Sequence, residues 1–204
     1  MLEPLAERWP KSNGLARHME GVMKAALHRA YGPADLLQVA EVETPVPNEN
    51  QVLIKIHATT VSSGDCNVRN FTFVPKSMVP IAKLVLGIKK PRTSIMGTQL
   101  AGEVEAVGQQ VKRFKAGDRV FASTGMAGGG HAQYACMPED GAMAIKPDHL
   151  SWEEAVAIPF GAETALYYLR DLGKIQAGHE VIIIGASGSI GTAGVQLAKH
   201  LGRR

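Results

Sequence analysis

Val181-Ile182-Ile183-Ile184-Gly185-Ala186-Ser187-Gly188-Ser189-Ile190-Gly191 decides how the chain is read. Four apolar residues run straight into a loop of small residues. Ile190, Ala193, Leu197, Ala198 and Leu201 then recur at the three- and four-residue spacing of a helix face. The unbroken apolar run predicts a parallel strand covered on both faces. The glycines, spaced G-x-x-G-x-x-G, let the backbone turn sharply and come close to a ligand. The helix that follows directs its free N–H groups and its positive dipole end at the loop. Strand, glycine loop and helix together predict a site for a dinucleotide pyrophosphate, held by Gly185, Ala186, Ser187, Gly188, Ser189, Ile190 and Gly191. The plainer alternative is a strand-to-helix turn with glycines chosen only for packing. Ser187 and Ser189 weigh against it, because they put hydroxyls where phosphate oxygens would lie.

The same stretch shows what is missing. Arg204 ends the sequence 13 residues after Gly191. In a dinucleotide fold the acidic residue that reads the ribose lies about 20 residues beyond the glycines, and the sheet needs about six strands. The expectation is one strand and one helix of such a fold, with Arg204 falling inside it.

Composition narrows the class. At 204 residues with 45% hydrophobic content, the chain can bury a real core. Its net charge of +3 is too mild to imply a nucleic-acid partner. Two cysteines, Cys66 and Cys136, are too few for a disulfide scaffold and suit a reducing compartment. No apolar run approaches the roughly 20 residues of a membrane span. Glu3, Pro4, Glu7 and Arg8 break up the N-terminus, which does not read as a secretory signal. A cytoplasmic protein with no membrane partner is the expectation.

Residues 1–22 read as a disordered extension, and Met23 as a second start. The competing reading is a partner-binding helix using Leu2, Leu5 and Trp9. Residues 23–147 carry short strands: 36–42, 52–58, 103–108, 120–122 and 131–137, separated by Pro, Gly and Asn turns. That pattern predicts a small barrel or sandwich. Residues 125–130 hold four glycines and read as a mobile loop. Residues 66–102 contain no acidic residue and six basic ones: Arg69, Lys76, Lys83, Lys89, Lys90 and Arg92. They read either as a lip over an anionic ligand or as a solvated loop whose lysine stems cover apolar surface; a membrane-surface contact is a third reading. From 148 to 204 the pattern is helical. Ser151-Trp152-Glu153-Glu154 is a capping box. Pro159 is expected to end that helix, and a second helix is expected over 163–172, closed by Gly173.

Taken together these pieces resemble the medium-chain dehydrogenase/reductase superfamily, in its zinc-independent quinone oxidoreductase branch. The resemblance covers roughly residues 23–202. It rests on Val52–Ala58 leading to Ser62-Ser63-Gly64-Asp65, on Gly97–Gly108, on Phe114–Val120, on Pro159–Leu169, and on the glycine loop followed by Val195-Gln196-Leu197-Ala198-Lys199. It implies an α+β and α/β architecture, with a GroES-like β-barrel supplying the substrate face and a Rossmann domain binding NADPH, NADH remaining open. It implies hydride transfer in the cleft between them, a small-molecule substrate and a homodimer in the full-length protein. Thr164 matches a position near the nicotinamide ribose, with helix packing as its alternative. Ser63 and Asp65 sit where the family's substrate loop faces the cofactor, so they are the candidate catalytic residues. Asp65 has a second reading as a helix cap.

No metal is expected. Catalytic zinc needs about three protein ligands and structural zinc about four. Ser62 stands where the zinc-dependent members carry Cys, and Thr98-Gln99 where they carry His-Glu. The seven histidines are scattered. Without a Lewis acid, reducing an activated quinone or enone asks less of the protein than oxidising an alcohol. The competing function is a non-enzymatic GroES-like module that binds a partner through residues 66–102. Cys66 reads either as a reactive thiol or as an inert buried one, the latter favoured because no flanking charge activates it.

Overall fold

The computed structural model describes residues 21–72, 74–87, 91 and 94–202. Seven strands occupy its first part. They are β1 (Val22–His28), β2 (Leu37–Glu43), β3 (Gln51–Thr59), β4 (Gln99–Val107), β5 (Arg119–Ser123), β6 (Tyr134–Pro138) and β7 (Met143–Ile145). Between β3 and β4 lie α1 (Ser63–Asn70) and α2 (Val79–Leu86). After β7 come α3 (Trp152–Val156), α4 (Ile158–Leu166) and α5 (Ser189–His200). The fold is mixed α+β.

β3 to β7 form one antiparallel sheet in the order β6-β3-β4-β5-β7, and β1 and β2 form a separate hairpin. Isolated bridges Ala25–Ala132 and Leu27–Ile95 attach the hairpin to the larger sheet. The β3–β4 register slips between Leu53 and Ile54 and again between Ile56 and Ala58. Such irregularities add local twist and bend the strand pair, which lets a five-stranded sheet wrap around its own core. Val52 and Ile54 of β3, Leu100 and Val104 of β4, Val120 of β5 and Met137 of β6 fill that core. On the other face, Ala155 and Val156 of α3 pack on Ala101, with Phe121 and Trp152 at the edge.

The joint after β7 is built from polar and aromatic groups. Lys146 is 4% exposed, yet its ammonium donates to the carbonyls of Pro147 (3.0 Å) and Leu150 (2.6 Å). It also lies 5.1 Å from the Trp152 ring centre. His57 stacks on the same indole, with centroids 4.7 Å apart. A buried ammonium is tolerable only when its donors are used. Here they are spent on the turn that leads into α3.

Several sequence expectations are corrected by this geometry. Residues 181–184 form no strand among the described residues. They lead without regular structure into the turn at Ile184, with Ile182 91% and Ile184 96% exposed, because no neighbouring strand offers them a ladder. Pro159 does not end a helix. It sits in the first turn of α4, where its missing N–H costs nothing, and α3 stops before it at Ala157. The second helix begins at Ile158 and passes into a π-helical turn over Tyr167–Leu172. The glycine-rich segment expected to be mobile is bonded to the β4 approach: Gly129 N–H donates to Ile95 (3.0 Å), Gly130 to Gly97 (2.9 Å) and His131 to Met96 (2.9 Å). β7 went unforeseen, being only three residues long. Of the extension expected over 1–22, residues 1–20 lie outside the described residues, as do Lys89, Lys90 and Arg92, while Val22 already belongs to β1.

Candidate functional site

The glycine loop closes as a tight turn ahead of α5. Gly185 has φ of 77°, in the left-handed region that glycine enters without strain. Gly188 N–H donates to the Gly185 carbonyl at 3.1 Å. Gly191 packs so closely on the loop that an added Cβ would meet the Gly185 carbonyl oxygen and lie 2.6 Å from Ala186 Cα. Thr192 ties the other side, its hydroxyl donating to the Ala186 carbonyl at 3.1 Å. Gly188 caps α5 with extended backbone, and no side chain occupies the cap. The first N–H groups of a helix have no intrahelical partner. Here Gly185 through Ile190 are exposed, so those donors lie open at the surface, where an anion can be met.

The two serines divide their roles. Ser187 stays in the exposed loop. Ser189 lies against α4 instead, since a Cβ on Gly161 would come within 2.5 Å of its hydroxyl oxygen and 2.7 Å of its carbonyl oxygen. That contact, with Gly194 against Ile183 and Ala165, packs α4 and α5 closely together. Thr164, half-buried on α4, borders a surface cavity of about 430 Å³ shared with Glu163, Tyr167, Arg170 and Asp171.

The second part of the site is the loop into α1. Ser62 caps this helix reciprocally with Asp65. Asp65 N–H donates to Ser62 Oγ (3.2 Å), Ser62 N–H donates to Asp65 Oδ2 (2.8 Å), and the Ser62 hydroxyl donates to the same oxygen (2.7 Å). Asp65 is 4% exposed. The carboxylate expected at the substrate face is thus folded into the cap, while Ser63, the first residue of α1, is exposed.

The residues that sequence reasoning missed are those joining the two parts. Gln99, 4% exposed, uses its whole amide. Its Nε2 donates to Thr60 Oγ1 at 2.8 Å, and its Oε1 accepts the Phe160 N–H of α4 at 3.3 Å. Its backbone carbonyl accepts the Thr59 hydroxyl at 2.8 Å. His131 holds the other side of Thr60, donating from Nε2 to the Thr60 carbonyl at 2.9 Å. Thr60 lies two residues before the α1 cap, and Phe160 one turn before Thr164. A single amide therefore links the serine loop to the helix that carries Thr164. No short-range pattern could show this, because Gln99 finds its partners 39 and 61 positions away.

Among the described residues, no three His, Cys, Asp or Glu side chains converge into a metal-binding group. The free thiols Cys66 and Cys136 are half-buried, and burial pushes the Cys136 thiol up to about 11.

Residues 48–148 match the alcohol dehydrogenase GroES-like domain. The chain belongs to the medium-chain dehydrogenase/reductase superfamily, on its quinone oxidoreductase-like side. It is 36% identical over 171 residues to a quinone oxidoreductase of Sus scrofa, covering 84% of this chain and 47% of that protein. It is 33% identical over 187 residues to a 2-methylene-furan-3-one reductase of Solanum lycopersicum, covering 88% and 45%. An alcohol dehydrogenase superfamily protein from Novosphingobium aromaticivorans superposes with a TM-score of 0.75 at 32% identity, covering 89% of this chain and 52% of that one. The chain spans about half the length of the curated relatives it matches. No helix among its described residues is long and apolar enough to cross a membrane.

Proposed function

We propose that the chain is the acceptor-binding barrel and the first cofactor contact of an NAD(P)H-dependent reductase acting without zinc on quinones, enones or similarly activated carbonyl compounds. The observation that carries this reading is the open α5 N-terminus behind a glycine turn that admits no Cβ at Gly191. It fits a pyrophosphate, since backbone N–H groups and the helix dipole favour an anion there without a cationic side chain. When bound, reduced nicotinamide supplies the hydride. The chain's own residues position and shelter. Gly185 to Gly191 hold the pyrophosphate, and Thr164 steadies the nicotinamide ribose. The exposed Ser63 hydroxyl donates to the acceptor's carbonyl oxygen, which gains charge as the carbon is reduced. Asp65 acts through its cap on Ser62, fixing the serine loop rather than touching the acceptor.

Ser62, Thr98 and Gln99 supply no thiolate or imidazole, and Gln99 is committed to Thr60 and Phe160. This supports the zinc-free reading. NADPH is preferred and NADH is the second candidate. A cytoplasmic setting, a homodimeric whole protein and no nucleic-acid partner belong to the same proposal, as do the boundaries 23–147 and 148–204 for the barrel and the start of the cofactor domain.

The test joins the chain in frame to the C-terminal half of the Sus scrofa relative. The product is expected to oxidise NADPH in the presence of a quinone, with elemental analysis showing no stoichiometric zinc. Gly191→Val should abolish turnover by blocking the loop. Failure of the folded fusion to consume NADPH, or one tightly held zinc per chain, would overturn the reading.

A further inference from the structure

Helix α2 carries its apolar residues outward. Pro80 stands in its first turn, and Gly87, with φ of 119°, ends it. A surface helix ordinarily turns its apolar stripe to the core and its charges to water. In α2 the order is inverted. Ile81 and Leu84 are each 62% exposed, and Met78, in the turn just before the helix, is 53% exposed. Their three-residue spacing sets them along one side. Lys83, the single charged residue of α2, is only half-exposed, with its ammonium 5.7 Å from the centre of the Phe71 ring. That is within cation–π range. The main contact of α2 among the described elements is with the turn Lys76–Met78 rather than with the barrel.

Charge says what such a face meets. Residues 66–102 hold six basic residues and no acidic one. Lys76 belongs to the turn before α2, and Lys89, Lys90 and Arg92 follow the helix in sequence. An apolar helix face among cations suits the interface of an anionic bilayer. Each Lys or Arg near such a surface strengthens binding about fivefold. A nucleic acid would use the cations and leave the apolar row in water. A second protein would need a groove shaped to this row, whereas a bilayer takes it as it stands.

We propose that α2 is a membrane-surface anchor, laying Met78, Ile81 and Leu84 into the headgroup boundary of a bilayer that contains anionic phospholipid. At eight residues the helix lies on the membrane and does not span it. Three apolar side chains and a few cations make a reversible contact, weakened by salt. The inference stands apart from the reductase reading, since it uses neither the glycine loop nor the serine loop.

The experiment is co-sedimentation of the whole 204-residue chain with vesicles of phosphatidylcholine, alone or mixed with phosphatidylserine. The mixed vesicles should bind at least about tenfold more strongly, and raising salt from about 0.1 M to about 0.5 M should remove most of that preference. Ile81→Ser with Leu84→Ser should abolish binding. Both positions are exposed, so the fold should survive the change. Lys89→Glu with Lys90→Glu should erase the preference for phosphatidylserine. Ile182→Ser with Ile184→Ser, at the other strongly exposed apolar site, should leave binding as it is. Equal binding to both vesicles, or binding that depends on Ile182 and Ile184 instead, would overturn the assignment. So would a dimer that forms without lipid and dissociates in the Ile81→Ser, Leu84→Ser variant, because a second copy would then be what covers α2.

Discussion

His28 shows how one side chain couples the barrel to pH. It is 1% exposed, stands edge-on to Tyr31 at 5.6 Å, and neither ring nitrogen meets a hydrogen-bond partner in good geometry. Burial is the main cause that lowers its pKa from the ordinary 6.5, and the nearby Arg69 charge adds the smallest share. The carbonyls of Arg69 and Ala30 pull the other way without cancelling burial. A group whose folded pKa is depressed takes up protons more readily when unfolded. Its stability contribution is present above the unfolded value and fades as pH falls toward the folded one. The thermal midpoint should therefore drop as pH is lowered from about 7 to 5, and His28→Leu should flatten that limb. An unchanged slope in His28→Leu would assign the pH effect to another group. Asp118 does not confuse the window. The Lys115 N–H it accepts at 2.9 Å holds its carboxyl below the usual range, so its contribution fades only under more acid conditions.

At the scale of elements, helix caps were legible and long-range ties were not. Ser151 with Glu154 reads directly as a capping box, and the structure forms it. The Ser62–Asp65 cap was one of two readings of Asp65, and the structure forms it with the carboxylate buried. Strands β2 to β6 were visible in their apolar runs, whereas β7 is too short to show a period. The strand expected at 181–184 has the right residues, but a parallel strand is made by its neighbours, and Ile182 and Ile184 find none. Gln99 stood out in the sequence only as something other than a metal ligand. Its real partners, Thr60 and Phe160, come together through the fold alone. Gln99→Leu should leave the Phe160 N–H and the Thr60 hydroxyl unpaired and cost about 1–3 kcal/mol. Gln99→Glu should recover most of this, because a carboxylate accepts both the helix N–H and the threonine hydroxyl and suits a helix N-terminus. Denaturant melts of the two variants check it. Equal stability of Gln99→Leu and the parent would mean that Gln99 does not tie α4 to the barrel.

For the molecule as a whole, order should follow closure of the sheet. β3 to β7 pair with one another and surround a common core. The stretch after Gly173 rests mainly on the α4–α5 contact, and residues 181–184 have no ladder. Hydrogen exchange should therefore be slow over 51–145 and fast over 175–188, because exchange follows the free energy of local opening. Uniform protection across both regions would show that the cofactor segment finds a partner, such as a second copy of the chain.

Transfer of the hydride itself tests the account most directly. The chain fused to the C-terminal half of its Sus scrofa relative is supplied with NADPH deuterated at the transferring position of C4 and with cyclohex-2-enone. A chelator is present throughout, and the product is analysed by mass spectrometry. The expected result is one deuterium at the β-carbon of cyclohexanone, unchanged by the chelator and lost in Gly191→Val. Unlabelled product, or labelling that requires added zinc, would contradict the account.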